Sequence, residues 1–388
     1  MKILHVVGSL DQRSGGPLRA VLDLSAMTRD LGLHSEIIGL APLLATDNPL
    51  PVGLIHAFPT RGPACYGYSP DLSRWCRENV SRFDGVMLHG LWSYANWAVS
   101  RRCVAAGVPY IVFPHGMLDL WSVRGQGRLK RLKKEFYWHW REKRVIAKSC
   151  GVFFTLSREL ANARMTFTLP QVDRLIVVPY GVGPLPGREG AQPSVCVKQS
   201  DQQKVALFLG RIHPQKRPDL LIKAWKLAGV GPEWRLVIAG PAEPAYLAHL
   251  EGLARRYGVV SGIQFTGPVA GEDKRYLLQR AAWFLLASEH ENFGVAVLEA
   301  VGSGCAIAIS DQVYLADEFP AGSEILPVQT EAWACFMRER MTDDTWRNET
   351  AQCVREHLSK RFGTEAVCHG WVDSIAEVLH RSRDLHSK

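Results

Sequence analysis

The chain contains no uninterrupted apolar run of 18 residues, so nothing in its 388 residues reads as a membrane-spanning helix. Its first ten residues, MKILHVVGSL, hold too short an apolar stretch and no cleavage signature for a secretory signal peptide. Among nine cysteines there is no Cys-x-x-Cys pair and no Cys/His group at zinc spacing. The odd count argues against a disulfide framework, and a reducing cytoplasm is the expected compartment. No Asp-x-Asp motif offers a metal ligand pair, and the turn after the first strand lacks the G-x-G-x-x-G of dinucleotide-binding folds. Low-complexity tracts and internal repeats are also missing. With 47% hydrophobic and 22% charged residues, a disordered or fibrous chain is excluded.

What is present is a repeated alternation of short apolar strands with helical segments. KILHVV (2–7) is almost purely apolar, as a parallel strand covered on both faces is. GVMLHG, PYIVFPHG, GVFFTLS and RLIVVPYG follow the same form, and after a Pro/Gly/Ser/Gln-rich break the pattern restarts with KVALFLG, WRLVIAG, IQFTG, AWFLLAS and CAIAIS. The expected architecture is α/β: two Rossmann-like doubly wound domains facing a central cleft. Boundaries fall at 1–183 for the first domain, 184–203 for a linker that permits closure, and 204–363 for the second. A last helix at about 364–384 packs back on either domain.

Ligands of open α/β sheets sit beyond the carboxyl ends of the strands, and the polar oddities of this sequence lie there. They are Gly15 and Gly16, His89, His115, Arg211, Lys216 and Glu291. In ASEHENFGVAVLEAVGSG, Glu291 precedes a helix starting near Gly294, and Glu299 lies within it. Amides at Phe293, Gly294 and Val295 would offer partial positive charge to a diphosphate, and Gly294 would allow its close approach. Glu299 would then accept from a ribose diol, while Glu291, freer in its loop, would hold sugar hydroxyls. Arg211 and Lys216, flanking the same helix N-terminus, would neutralise a departing diphosphate.

Together these motifs resemble the family 4 retaining glycosyltransferases of GT-B fold. LFLGRIHPQKRPDLLIKA is similar to that family's G-R-x4-K phosphate motif, ASEHENFGVAVLEAVGSGCAIAIS to its E-x7-E region, IVVPYGV to its crossover strand end, and IQFTGPV to the strand near its base pocket. HGLWSY and PHGMLDLW resemble a subgroup among bacterial polysaccharide-assembling transferases. The resemblance implies transfer of a hexose from a nucleoside diphosphate sugar, UDP-glucose favoured and GDP-hexose possible, to a hydroxyl of a polysaccharide or lipid-linked oligosaccharide. It implies an N-terminal acceptor-binding and a C-terminal donor-binding domain, and no cofactor or metal.

By the same resemblance Arg211 and Lys216 hold the diphosphate, Glu291 the hexose and Glu299 the ribose, and His115 reaches the donor sugar. Gly15, Gly16, Gly267, Val269, Asn292, Phe293, Gly294 and Val295 complete the donor site, with His89, Trp92 and Arg124 toward the acceptor. Tyr180, Gly183 and Ala306 depart from the family's usual Asn, Asp and Pro. Two other classes fit parts of the sequence: an NAD-dependent oxidoreductase with two α/β domains, and a non-catalytic polyanion binder.

The second alternative arises from one segment. Residues 124–148 hold ten Lys/Arg against Glu135 and Glu142, a local excess of eight that equals the net charge of +8. Phe136, Tyr137, Trp138 and Trp140 interleave with these charges, which reads either as a basic helix for an anionic membrane surface or as a solvated face with its aromatics turned inward. No nucleic-acid module is recognisable, and peripheral contact at the cytoplasmic face of the inner membrane is the expectation.

Overall fold

The computed structural model describes residues 1–11, 16–41, 55–61, 66–124, 127–169, 175–180 and 203–386. The chain divides into two compact units, Met1–Gly183 with Thr364–Lys388, and Pro184–Gly363. The linker expected at 184–203 lies, apart from Gln203, outside the described residues.

In the first unit seven strands are described: β1 (Lys2–Val7), β2 (His34–Ala41), β3 (Ile55–Pro59), β4 (Gly85–His89), β5 (Tyr110–Phe113), β6 (Gly151–Phe154) and β7 (Leu175–Val177). Their order across the sheet is β3-β2-β1-β4-β5-β6-β7, every neighbouring pair parallel. The second unit holds β8 (Lys204–Leu209), β9 (Trp234–Ala239), β10 (Ile263–Gly267), β11 (Ala281–Leu286), β12 (Ala306–Ser310) and β13 (Glu324–Leu326), ordered β10-β9-β8-β11-β12-β13. Both are doubly wound sheets whose order reverses beside the first strand of each unit, and a crevice opens at that reversal.

Burial explains why these strands read as apolar runs. Leu4, Val6, Leu88, Val112 and Phe154 pack into one face of the first sheet, and Ile3, Met87, Phe113 and Phe153 into the other. That second face is covered by the helix Thr364–His386, which inserts Trp371, Ile375, Val378 and Leu379. Trp371 is fully buried, and its indole N–H donates to the carbonyl of Pro179 at 2.8 Å. Gly85 makes room for the helix, because a Cβ there would lie 2.7 Å from Leu379.

The basic segment is helical in three joined pieces: Arg128–Tyr137, a π turn over Trp138–Glu142, and Lys143–Ala147. Its aromatics divide. Trp138 is buried and stacks on Phe167 with ring centroids 4.2 Å apart, whereas Leu129, Leu132, Phe136 and Trp140 are exposed. Spacings of three, four and four residues place those four on one helix face. Among the described residues no helix is long and apolar enough to cross a membrane.

Candidate functional site

In the second unit two loops at the carboxyl ends of β8 and β11 are laced together. The loop after β8 turns through a single 3₁₀ turn, Pro214–Lys216, capped by the His213 ring, which accepts the Gln215 N–H at 3.2 Å. Gln215 gives its carbonyl to the Glu289 N–H at 2.8 Å and its side-chain amide to the His290 carbonyl at 2.9 Å. Arg217, held in the left-handed region at φ 50°, bridges Asp219 at 3.0 Å and Glu289 at 2.7 Å. Lys216 then meets Glu291 with Nζ 2.6 Å from the carboxylate.

The cluster extends in both directions. A Cβ on Gly210 would lie 3.4 Å from the Lys216 ammonium, and one on Gly294 would lie 3.4 Å from Cγ of Glu291. Gly210, Lys216, Glu291 and Gly294 are thus consecutive neighbours, with Arg211 one residue beyond and exposed. Gly294 adopts φ 76° as the N-cap of the helix Val295–Gly302, and as a glycine it has no side chain to cap that terminus. Within the helix, Glu299 is ion-paired with Lys274 at 2.6 Å. A fixed ammonium, an exposed guanidinium and an uncapped helix start converge on one small region, which is the composition of an anion site.

The first unit carries a different constellation at the ends of β4 and β5. Ser35, His5, His89, His115 and Tyr180 form one hydrogen-bonded chain. His5 Nε2 meets the Ser35 hydroxyl at 3.1 Å, His5 Nδ1 meets His89 Nε2 at 2.9 Å, and His89 Nδ1 meets His115 Nε2 at 2.8 Å. The Tyr180 hydroxyl closes the chain on His115 Nδ1. Each nitrogen pair needs one donor and one acceptor, so the three neutral rings share one tautomeric sense. Burial keeps them neutral: it lowers His5 to about 4 and His115 to about 3. His89 falls well below its ordinary value through burial and then through its two neighbours.

Two loops beside this chain are strained. Trp92 at φ 65° and His115 at φ 53° are non-glycine residues in the left-handed region, each costing on the order of 1–3 kcal/mol. The Trp92 conformation is secured by its N–H, which donates to Glu142 at 3.1 Å. The π turn places Glu142 there, and burial pushes its carboxyl up to about 7. The Trp92 indole N–H is itself buried without a partner among the described residues. The His115–Gly116 turn is secured by Glu159, which accepts the Gly116 N–H at 2.6 Å.

Two family models match the chain, "Glycosyl transferase 4-like domain" over residues 15–181 and "Glycosyl transferases group 1" over residues 197–324. The chain is a GT-B glycosyltransferase. A GDP-mannose:cellobiosyl-diphosphopolyprenol alpha-mannosyltransferase from Komagataeibacter xylinus is 22% identical to it, over 98% of this chain and 94% of its own length. The fold is shared with Anabaena HepE, solved in complex with UDP and glucose, at TM-score 0.74 and 15% identity over 97% of this chain and 100% of that one. It is also shared with a sucrose-phosphate synthase from Thermosynechococcus elongatus, at TM-score 0.73 and 17% identity over 98% and 99%.

Several positions singled out in the sequence of the transferase need revision. Glu291 is not a loosely held loop acid. Its backbone pairs with that of Gln312 and Tyr314 at 3.2 and 3.0 Å, and its carboxylate is spent on Lys216. His89 is 3% exposed with both ring nitrogens engaged, so its side chain does not touch an acceptor. His115 also has both nitrogens engaged, and a sugar hydroxyl can reach Nδ1 only by displacing Tyr180.

The remaining positions take their places as follows. Phe293 is buried against Phe362, while Val295 and Asn292 are half-buried beside the helix start. Gly267 closes β10 at φ 72° and accepts the Gly240 N–H at 2.8 Å; Val269 follows it, half-buried. Gly16 opens the helix Gly16–Met27 and Arg124 ends the helix Leu120–Arg124, whereas Gly15 lies outside the described residues.

Gln215, Arg217, Lys274 and Glu289 are the site residues that motif reading passes over. Lys274 left a signal: a cation in the first turn of the helix Gly271–Arg280 opposes the helix dipole and calls for a specific partner, here Glu299.

The approach of β8 to β9 sets the course of the loop after β8. A Cβ on Gly240 would lie 1.9 Å from the carbonyl oxygen of Gly210, backbone that carries Arg211 directly after it. Gly240→Ala is expected to destabilise the second unit by about 1–3 kcal/mol and to weaken nucleotide binding as well. Gly252→Ala is the control: it lies in the helix Pro244–Tyr257 with nothing within 4 Å of a new Cβ, and is expected to stabilise by roughly 0.5–1 kcal/mol. Urea melts of both variants measure the contrast, and equal midpoints would refute it.

Proposed function

We propose that the transferase moves a hexose from a nucleoside diphosphate sugar to a hydroxyl of a glycan carried on a lipid diphosphate, with retention at the anomeric carbon. The observation that carries this reading is the run Gly210–Lys216–Glu291–Gly294, which joins a cation, a carboxylate and an uncapped helix terminus in one place. The diphosphate lies against Lys216, Arg211 and the amides at Gly294 and Val295, which supply the positive charge that stabilises its departure. Glu299 takes the ribose diol and Lys274 fixes the Glu299 carboxylate. Glu291 orients hexose hydroxyls rather than attacking the anomeric carbon, since its carboxylate is held by an ammonium. Retention then follows from attack on the face that the diphosphate leaves. Because the protein supplies the charge, turnover is expected to survive EDTA.

The first unit binds the acceptor beside Trp92 and the His115 turn. The Trp92 indole N–H, without a partner among the described residues, offers a donor to an acceptor hydroxyl. GDP-mannose stands ahead of UDP-glucose as donor, because the relative that aligns over 98% of the chain carries GDP-mannose and a diphosphopolyprenol acceptor in its name. The exposed row Leu129, Leu132, Phe136 and Trp140, surrounded by cations, rests on the anionic bilayer that holds such an acceptor.

Incubation of the purified transferase with labelled GDP-mannose, UDP-glucose and other nucleotide hexoses, each with a glycan diphosphate on a short isoprenoid, tests the assignment. A product whose anomeric configuration by NMR matches the donor is expected. Inversion, or release of sugar to water alone, would end the proposal.

A further inference from the structure

A groove of about 430 Å³ lies between the helix Tyr94–Ala106 and the end of the basic helical run. We infer that this groove is a binding site for the phosphodiester headgroup of an anionic phospholipid, distinct from the donor and acceptor sites. The inference deepens the bilayer-contact reading above and rests on it for how the protein approaches lipid.

Charge is the first argument. Arg101, Arg144 and Lys148 stand exposed around the groove, and none of them forms an ion pair among the described residues. Arg141 lines the wall between them and is only 9% exposed. Its guanidinium lies 3.9 Å from the ring centroid of Trp140 and 4.2 Å from that of Trp97, and it donates to the hydroxyls of Tyr66 and Tyr137. Its Nε–H is buried with no partner among the described residues. A cation so desolvated, with a donor unspent and three further cations beside it, matches a phosphate oxygen.

Position is the second argument. Tyr110, the first residue of β5, lines the groove, and Lys148 comes three residues before β6 begins. The groove therefore reaches the amino-terminal end of β5 at Tyr110, while its Arg141 wall adjoins Glu142, the acceptor of the Trp92 N–H. Trp140 belongs both to the groove and to the exposed apolar row, so the ligand that fits is anionic at one end and apolar at the other.

Calorimetric titration of the full chain with monomeric dihexanoyl phosphatidylglycerol tests this, with dihexanoyl phosphatidylcholine and inorganic phosphate as parallel arms. Saturable binding of the phosphatidylglycerol is expected, with both other ligands at least about ten-fold weaker. The paired variant Arg101→Glu/Arg144→Glu should weaken it at least about ten-fold, and Lys130→Glu/Lys133→Glu, the same change of charge on the exposed helix, less than about three-fold. No saturable binding, equal loss in the two pairs, or phosphate binding as tightly as the lipid would overturn the inference. Flotation with phosphatidylglycerol vesicles reads the bilayer contact separately. Leu132→Ser/Phe136→Ser should abolish flotation and keep the calorimetric signal, and a wild-type chain that fails to float while still binding the short lipid removes the bilayer reading alone.

Discussion

Lys216→Ala is expected to lower kcat by about 10²- to 10³-fold, the range seen when one preorganised donor to a developing oxyanion is lost. The loss has two sources. On the proposed reading the ammonium no longer offsets charge on the leaving diphosphate, and Glu291, freed from a contact of 2.6 Å, becomes an unbalanced carboxylate beside it. On the proposed reading, Glu291→Ala loses hexose hydroxyl contacts and leaves Lys216 free for phosphate. The two variants therefore separate by ligand. Lys216→Ala should weaken both the nucleotide sugar and the free nucleoside diphosphate, and Glu291→Ala the nucleotide sugar only. Side-chain exposures of 22% and 21% make the pair a small term in stability, so thermal midpoints should shift little. Inhibition by free GDP or UDP, measured beside kcat, decides the matter. A Lys216→Ala enzyme with unaltered turnover would take this residue out of the mechanism.

The second large effect is acid lability of the first unit. His5 and His115 are lowered to about 4 and about 3 by burial, and His89 is lowered well below its ordinary value by burial and then by its two histidine neighbours. Between the ordinary histidine value near 6.5 and those folded values the unfolded chain binds protons that the folded chain refuses. Stability is therefore complete above about pH 6.5 and falls as pH drops, by ~1.4 kcal/mol per pH unit for each histidine. Glu142 acts in the opposite sense, because a carboxyl raised to about 7 makes the folded chain the better proton binder from about pH 4.5 to 7. Three protons against one leave a net slope of ~2–3 kcal/mol per pH unit. Melts at pH 7.5 and pH 5.0 should differ by roughly 10 °C for the transition of the first unit. Coincident melts would show that the chain of rings accepts protons without penalty. In the second unit Asp219 is held below its ordinary value by Arg217 and Lys223 despite its burial, so its contribution is lost only at still lower pH.

The doubly wound sheets were legible because β1, β4, β5, β8, β9 and β11 are buried on both faces and spell near-continuous apolar words. β3 and β13 were not, since IHAFP and EIL are short, half-exposed edge strands whose place is fixed by pairing with β2 and β12. Lys216, Glu291 and Gly294 were legible through motif spacing, but their mutual engagement was not. Spacing along a chain says which residues share a loop, and nothing about an ammonium 75 positions away closing on the same carboxylate. His5 shows a deeper limit. Inside KILHVV it looks like an interruption of an apolar strand, and only the fold brings it to His89, 84 positions on. The single basic helix expected at 124–148 is interrupted by a π turn, and no periodicity announces the one-residue shift that turns Trp138 inward and Glu142 to Trp92.

The covering of the first sheet by Thr364–His386 has a consequence for biogenesis. During translation the strands from Lys2 to Val177 leave the ribosome long before the segment that shields Phe113 and Phe153, and the entire second unit is made in the interval. The nascent first half thus waits with an oily flank uncovered, a ready client for holding chaperones until its late-arriving cover docks.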